Sequence, residues 1–244
     1  MRKFGLIGKT LSHSFSADYF SKKFASEGIA QCQYSLYELE NIEQVGELIA
    51  SNTDLCGFNV TIPYKREIIP LLDTVDFEAE QIGAVNCVKI ADGKLYGYNT
   101  DIAGLRLSLA KLIGSTYIEQ ALILGTGGAS LAVQYLLAEQ CIPYELISRD
   151  ERKATITYDT ISPEVIERSQ LIINTTPLGT YPNMESAPSL PYAYISPSHF
   201  MLDLVYNPEV TQFLDYGMQR GATTLNGYTM LVEQAEESWR IWNS

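Results

Sequence analysis

The stretch Gln120-Ala121-Leu122-Ile123-Leu124-Gly125-Thr126-Gly127-Gly128-Ala129-Ser130 decides the fold. Gln120 to Leu124 is a short, almost uninterrupted apolar run, the pattern of a parallel strand buried on both faces. A glycine turn follows, and then a helix over about Ala129–Gln140. Gly125 permits the tight turn and Gly127 lets a pyrophosphate approach the backbone. The helix N-terminus supplies N–H groups and a favourable dipole. Ser130 stands where a third glycine is usual and is small enough for close packing.

Working outward, the spacing predicts a helix over Ile102–Leu112 before this strand. After it come strands at Tyr144–Ile147, Leu171–Asn174, Met201–Val205 and Ala222–Leu225, with a helix at Glu209–Arg220. Such alternation predicts a parallel sheet covered by helices. A second α/β pattern fills the first hundred residues. Its strands are Lys3–Gly8, Gln33–Leu39, Cys56–Thr61, Ala84–Ile90 and Leu95–Asn99, with Asp92-Gly93 as a hairpin signal. Its helices are Ser14–Glu27, stopped by Gly28, and Glu43–Ala50. The expected architecture is two-domain α/β. Residues 1–101 with a C-terminal helix at 226–244 form a substrate-binding domain, and 102–225 form a Rossmann-type dinucleotide-binding domain.

Bulk properties narrow the function. The chain has 244 residues, 46% hydrophobic and 19% charged, with a formal net charge of −12. No basic surface suited to nucleic acid is visible. No apolar run approaches the ~18 residues of a membrane span, and the apolar start is too short for a signal peptide. A cytoplasmic protein is expected. Cys32, Cys56, Cys87 and Cys141 are widely spaced and read as buried reduced thiols; with His13 and His199 remote from them in sequence, no metal site is expected.

Polar groups recur at strand ends in the first half. Ser14 and Ser16 begin a helix, where their hydroxyls and the helix dipole suit a carboxylate; plain N-capping is the alternative. Asn59 and Thr61 alternate on a strand and share a face. Lys65 reads as a surface charge or a proton donor, and Asp101 as a helix cap or a hydrogen-bonding carboxylate. Ser148-Arg149-Asp150-Glu151-Arg152-Lys153 follows the strand expected to choose the cofactor. There an arginine favours the 2′-phosphate of NADP and an acid favours the ribose of NAD. A solvated charged turn is the alternative.

Taken in order, these segments resemble the shikimate dehydrogenase family through nearly the whole chain. Ser14-Phe15-Ser16 is similar to its SxS motif, Asn59-Val60-Thr61-Ile62-Pro63-Tyr64-Lys65 to NVTxPxK, and Ala84-Val85-Asn86 to AVN. Asn99-Thr100-Asp101-Ile102-Ala103-Gly104 is similar to NTDxxG, and Gly125–Ser130 to GxGGAS. Asn174–Gly179, Asp203–Pro208 and Met230–Ala235 resemble later motifs. The resemblance implies reversible NADPH-dependent reduction of 3-dehydroshikimate to shikimate, in the chorismate and aromatic amino acid pathway. It implies Lys65 and Asp101 as the catalytic pair, with Ser14 and Ser16 on the substrate carboxylate. Asn59, Thr61, Asn86, Tyr206 and Gln234 are implied as further substrate ligands. Gly125, Thr126, Gly127, Gly128, Ala129, Ser148, Arg149, Lys153 and Thr175 are implied as cofactor ligands.

This sequence departs from the family where proline and histidine are usual after SxS, carrying Ala17 and Phe20 instead. It has Asn226-Gly227-Tyr228-Thr229-Met230 for DGxGM and Ser148-Arg149-Asp150 for NRT. Asp150 keeps open a quinate/shikimate enzyme using NAD. A non-catalytic ligand sensor is the rival from another class, opposed by retention of both Lys65 and Asp101. A methylenetetrahydrofolate-type dehydrogenase is opposed by SxS and NVTxPxK. The expected partners are a small-molecule substrate and, at most, a second copy of the chain as a homodimer.

Overall fold

The computed structural model describes residues 1–11, 14–154 and 156–244. They divide into two compact units, Met1–Thr100 with Ala235–Ser244, and Asp101–Gln234.

The first unit contains β1 (Arg2–Gly8), α1 (Phe15–Ser26), β2 (Cys32–Glu38), α2 (Val45–Ser51), β3 (Leu55–Val60), β4 (Thr74–Val75), α3 (Phe77–Ile82), β5 (Cys87–Ala91) and β6 (Lys94–Tyr98). Its sheet has the order β2-β1-β3-β5-β6-β4. The strands β2, β1 and β3 run parallel, while β3, β5 and β6 pair antiparallel in turn. Alternating side chains send Phe4 and Leu6 of β1 to one face and Ile7 to the other. On the Phe4 face an aromatic cluster forms: Phe4 stacks on Trp242 at 4.8 Å and Phe20 on Tyr34 at 4.6 Å. Phe20, a departure from the family pattern, is thus wholly buried in this core. The periodicity reading passed over α3, which is too short to show a period. Its caps are nonetheless regular: Asp76 accepts from Glu78 N–H, and Gly83 closes the helix at φ +70°.

The second unit contains α4 (Asp101–Ile113), β7 (Ala121–Leu124), α5 (Gly128–Glu139), β8 (Tyr144–Ser148), β9 (Ile156–Thr157), α6 (Pro163–Arg168), β10 (Leu171–Asn174), β11 (Phe200–Asp203), α7 (Gln212–Gln219) and β12 (Thr223–Leu225). All its strand pairs are parallel, in the order β12-β11-β10-β7-β8-β9. Every residue of β7 is fully buried, in keeping with its apolar sequence. In this unit two element ends differ from the sequence reading by two residues or more. The strand β11 stops at Asp203, because the Asp203 carboxylate accepts Val205 N–H at 3.0 Å and removes it from the ladder. The helix α7 starts at Gln212 instead of Glu209, because Thr211 caps it by accepting Leu214 N–H.

The last helix, α8 (Tyr228–Asn243), contains the division between the units, so residues 226–234 group with the second unit and not with the first. All four cysteines are free; Cys87 is buried and Cys32 and Cys56 half-buried, but Cys141 is exposed, contrary to the expectation of four buried thiols. Cys141 lies in the turn after α5 with a left-handed backbone, where a side chain points away from the packed layers. No described helix is long and apolar enough to cross a membrane.

Candidate active site

In the first unit two of the expected polar residues, Asn59 and Asn86, join a largely buried network. Tyr34 on β2 donates its hydroxyl to Asn59 Oδ1 on β3 at 2.9 Å. Asn59 Nδ2 donates to Ser238 Oγ at 2.8 Å and to the Asn86 carbonyl at 3.2 Å. Ser238 Oγ lies 3.2 Å from Thr100 Oγ1. Asn86 Oδ1 accepts from Thr100 N–H at 2.7 Å and from its hydroxyl at 3.2 Å, and Asn99 Nδ2 donates to the Ala84 carbonyl. Buried amides and hydroxyls need such partners, since each unpaired group would cost about 1–3 kcal/mol.

The network stays neutral. Burial pushes the Tyr34 phenol far above its ordinary range, with the Ser16 side chain acting in the opposite sense. Burial likewise pushes the Cys87 thiol up to about 12, with a Ser238 hydrogen bond acting in the opposite sense. Ser14 occupies the N-cap of α1, yet its side chain makes no capping bond. Plain capping therefore does not account for it. Thr61 continues the ladder beyond β3 by donating its N–H to Ile7 O. Lys65 is half-buried, set between the buried Tyr64 and Ile68, and its carbonyl accepts Val85 N–H at 2.7 Å, next to Asn86. Ser12 and His13 lie outside the described residues. Tyr34 and Ser238 were missed by the sequence reading: Tyr34 passes for an alternating strand residue and Ser238 for a polar position on a helix.

In the second unit, Asp101 opens α4 and is 2% exposed, directly after the Thr100 that Asn86 holds. Gln234 and Tyr206 are half-buried. The glycine turn is built as its sequence requires. Gly125 has φ +104°, and a Cβ there would meet Thr175 Oγ1 and Thr176 Cγ2 at 2.9 Å. Thr175 reaches this close because its N–H and hydroxyl both donate to Leu124 O, at 3.0 and 2.7 Å. A Cβ on Gly127 would meet nothing of the protein within 4 Å, so open space lies before the first turn of α5. The first N–H groups of a helix lack intrahelical partners. Open space and those donors fit a pyrophosphate. Ser130 is fully buried and accepts from Gln134 Nε2, which bears out a small residue at the third position.

A buried polar hub supports this turn. Asp203 accepts from Asn174 Nδ2 at 2.9 Å, Val205 N–H at 3.0 Å and Thr211 Oγ1 at 2.6 Å. Asn174 Oδ1 in turn accepts the N–H and hydroxyl of Thr176. Burial pushes the Asp203 carboxyl up to about 6 against these donors. At the end of β8, Ser148 Oγ lies 3.5 Å from Thr126 Oγ1, while Arg149 and Lys153 are exposed. His199 is buried with Nε2 3.0 Å from Ile166 O and Nδ1 2.9 Å from Ser196 Oγ, a structural arrangement.

A parallel sheet with a glycine turn opening onto a helix N-terminus, together with a separate unit holding a neutral polar array, defines a dinucleotide-dependent α/β protein with its own ligand domain. Residues 6–88 match the model of the shikimate dehydrogenase substrate binding domain. The chain is 37% identical over 255 residues to shikimate dehydrogenase (NADP(+)) of Methanococcus maripaludis, covering 98% of this chain and 90% of the relative. It is 39% identical over 254 residues to the protein of that name from Clostridium beijerinckii, covering 99% and 92%. Shikimate 5-dehydrogenase from Thermus thermophilus, solved with NADP(H) and shikimate, superposes with a TM-score of 0.86 at 29% identity, over 99% of this chain and 93% of that one. The chain belongs to the shikimate dehydrogenase family.

Proposed function

We propose that this chain reversibly reduces 3-dehydroshikimate to shikimate with NADPH, as a cytoplasmic enzyme of aromatic amino acid biosynthesis, acting as a monomer or homodimer. The observation that carries the reading is the neutral hydrogen-bond chain from Tyr34 through Asn59, Ser238 and Thr100 to Asn86. Preorganised hydroxyls and amides suit a ring bearing several hydroxyls, since their orientation is set before the ligand arrives.

Bound NADPH supplies the hydride to the ketone carbon. The protein's task is the proton on the adjacent oxygen. Lys65 donates it in reduction and accepts it in oxidation, and Asp101 accepts a hydrogen bond from the same hydroxyl. Ser14 and Ser16 take the substrate carboxylate at the start of α1; Asn59, Thr61, Asn86, Tyr206 and Gln234 take further polar contacts. The turn Gly125–Ala129 takes the pyrophosphate at the N-terminus of α5, flanked by Thr175. Ser148, Arg149 and Lys153 take the adenosine end.

The test is a four-way assay of shikimate and quinate, each with NADP+ and NAD+. Shikimate with NADP+ should give the highest kcat/KM. Quinate with NAD+ as the best pair would instead establish the quinate-type reading that Asp150 keeps in play. Absence of turnover with all four, alongside measurable shikimate binding, would establish the sensor.

A further inference from the structure

The strand-end segment Ser148–Lys153 contains a device that its sequence alone does not disclose. In dinucleotide folds an acid at this place accepts the ribose 2′-hydroxyl and repels a 2′-phosphate. Asp150 is such an acid, but both its oxygens are occupied. Arg152 donates from Nε to Oδ1 and from Nη2 to Oδ2, each at 3.0 Å, and its backbone N–H adds a third bond to Oδ1 at 3.1 Å. This bidentate pairing holds the Asp150 carboxyl below the usual carboxylate range, the Arg152 side chain being the chief cause. Asp150 N–H donates to Ser148 Oγ at 3.1 Å, and Ser148 lies beside Thr126 of the glycine turn. The pair is therefore tied to the turn expected to hold the pyrophosphate.

Two of the five guanidinium N–H groups are spent on Asp150, and three remain. The Arg152 side chain is 88% exposed and that of Asp150 29%, so the cation forms the outer surface of the pair. An ion pair this exposed contributes little to folding. Its effect is on what the strand end presents to a ligand.

Building on the NADP reading above, we propose that Arg152 selects the 2′-phosphorylated dinucleotide by masking Asp150 and offering its remaining donors to the phosphate, beside Arg149 and Lys153. Without Arg152, Asp150 becomes an acceptor-only carboxylate matched to a ribose 2′-hydroxyl. The two residues thus act as one unit, and Asp150 ceases to signal NAD use when Arg152 stands two positions later.

The test is calorimetric titration of NADP+ and of NAD+ into the full chain without substrate, for wild type, Arg152→Ala, Asp150→Thr and the double variant. Arg152→Ala should weaken NADP+ by about tenfold or more and leave NAD+ equal or tighter. In the Asp150→Thr background the same change should cost NADP+ clearly less than in wild type, because only the donors to the phosphate are lost and no carboxylate is unmasked. In steady-state kinetics the KM of each dinucleotide should follow its own affinity, with kcat little changed. Equal losses in both backgrounds would make Arg152 a simple phosphate ligand and overturn the masking proposal, as would NADP+ and NAD+ affinities of Arg152→Ala within about twofold of wild type. Wild-type preference for NAD+ also overturns it. A wild-type chain that binds neither dinucleotide overturns the NADP reading and the proposal with it.

Discussion

The two units handle polarity in opposite ways. In the first, the network from Tyr34 to Asn86 is largely buried, uncharged and internally satisfied, and its bonds tie β2, β3 and α8 together. In the second, the strand-end segment Arg149–Lys153 is charged and mostly exposed, while the Asp203 hub is buried. A buried neutral array is rigid and expensive to alter, so it suits a ligand recognised by several fixed hydrogen bonds. An exposed charged turn costs little stability to change, so cofactor choice can drift by one or two substitutions while the sheet stays intact.

The largest effect should separate chemistry from binding. Lys65→Ala should lower turnover by about 10²–10⁴, with a smaller change in KM for shikimate. Steady-state kinetics measure this, and turnover within about threefold of wild type would remove Lys65 from proton transfer.

The buried hub of the second unit should behave like the first unit's network when cut. Asp203→Ala leaves Asn174 Nδ2, Val205 N–H and Thr211 Oγ1 without their acceptor, and should cost roughly 3 kcal/mol or more in urea unfolding. The pH dependence has a definite sign. The folded carboxyl titrates near 6, above its ordinary 3.8, so the folded chain holds the proton more tightly. Its contribution is fully present below about pH 4 and is lost as pH rises through about 6, at up to ~1.4 kcal/mol per pH unit. That slope should vanish in Asp203→Asn; its persistence would assign it to another group.

Ser14 and Ser16 sharpen the distinction between ligand contact and folding. Replacing both with alanine should raise the KM for shikimate by roughly 1–3 kcal/mol per lost charged hydrogen bond. Ser14→Ala alone should change stability by less than about 0.5 kcal/mol, since its side chain makes no capping bond. A loss near 1 kcal/mol in thermal unfolding would restore the capping role.

In the glycine turn two neighbours ought to fail differently. Gly125→Ala forces a left-handed backbone and a clash with Thr175 and Thr176, and should destabilise the fold by about 1–3 kcal/mol. Gly127→Ala meets only open space, so it should unfold like wild type yet bind NADP+ more weakly in calorimetry. Equal dinucleotide affinity in Gly127→Ala would move the pyrophosphate elsewhere.

Much of this was legible in the chain. Apolar runs placed β7, β10 and β11, because strands buried on both faces leave no room for polar residues. The glycine turn and the polar strand ends marked the candidate site. What stayed hidden were partners distant in sequence: Ser238 meets Asn59 across 179 positions, and Tyr34 meets Asn59 across 25. The short helices α3 and α6 escaped because six residues cannot display a helical period.

The sequence by itself determined the α/β alternation, the glycine turn and the list of polar groups available for chemistry, all of which follow from local patterns in the chain. Only the tertiary structure decided which of those groups are spent on one another. Asp150 reads as a free acid until Arg152 is seen folded back on it, and Ser14 reads as a helix cap until its side chain is seen to make no such bond. The reason is physical: a residue type fixes what a side chain can donate or accept, while the folded backbone fixes the distance and angle at which it does so.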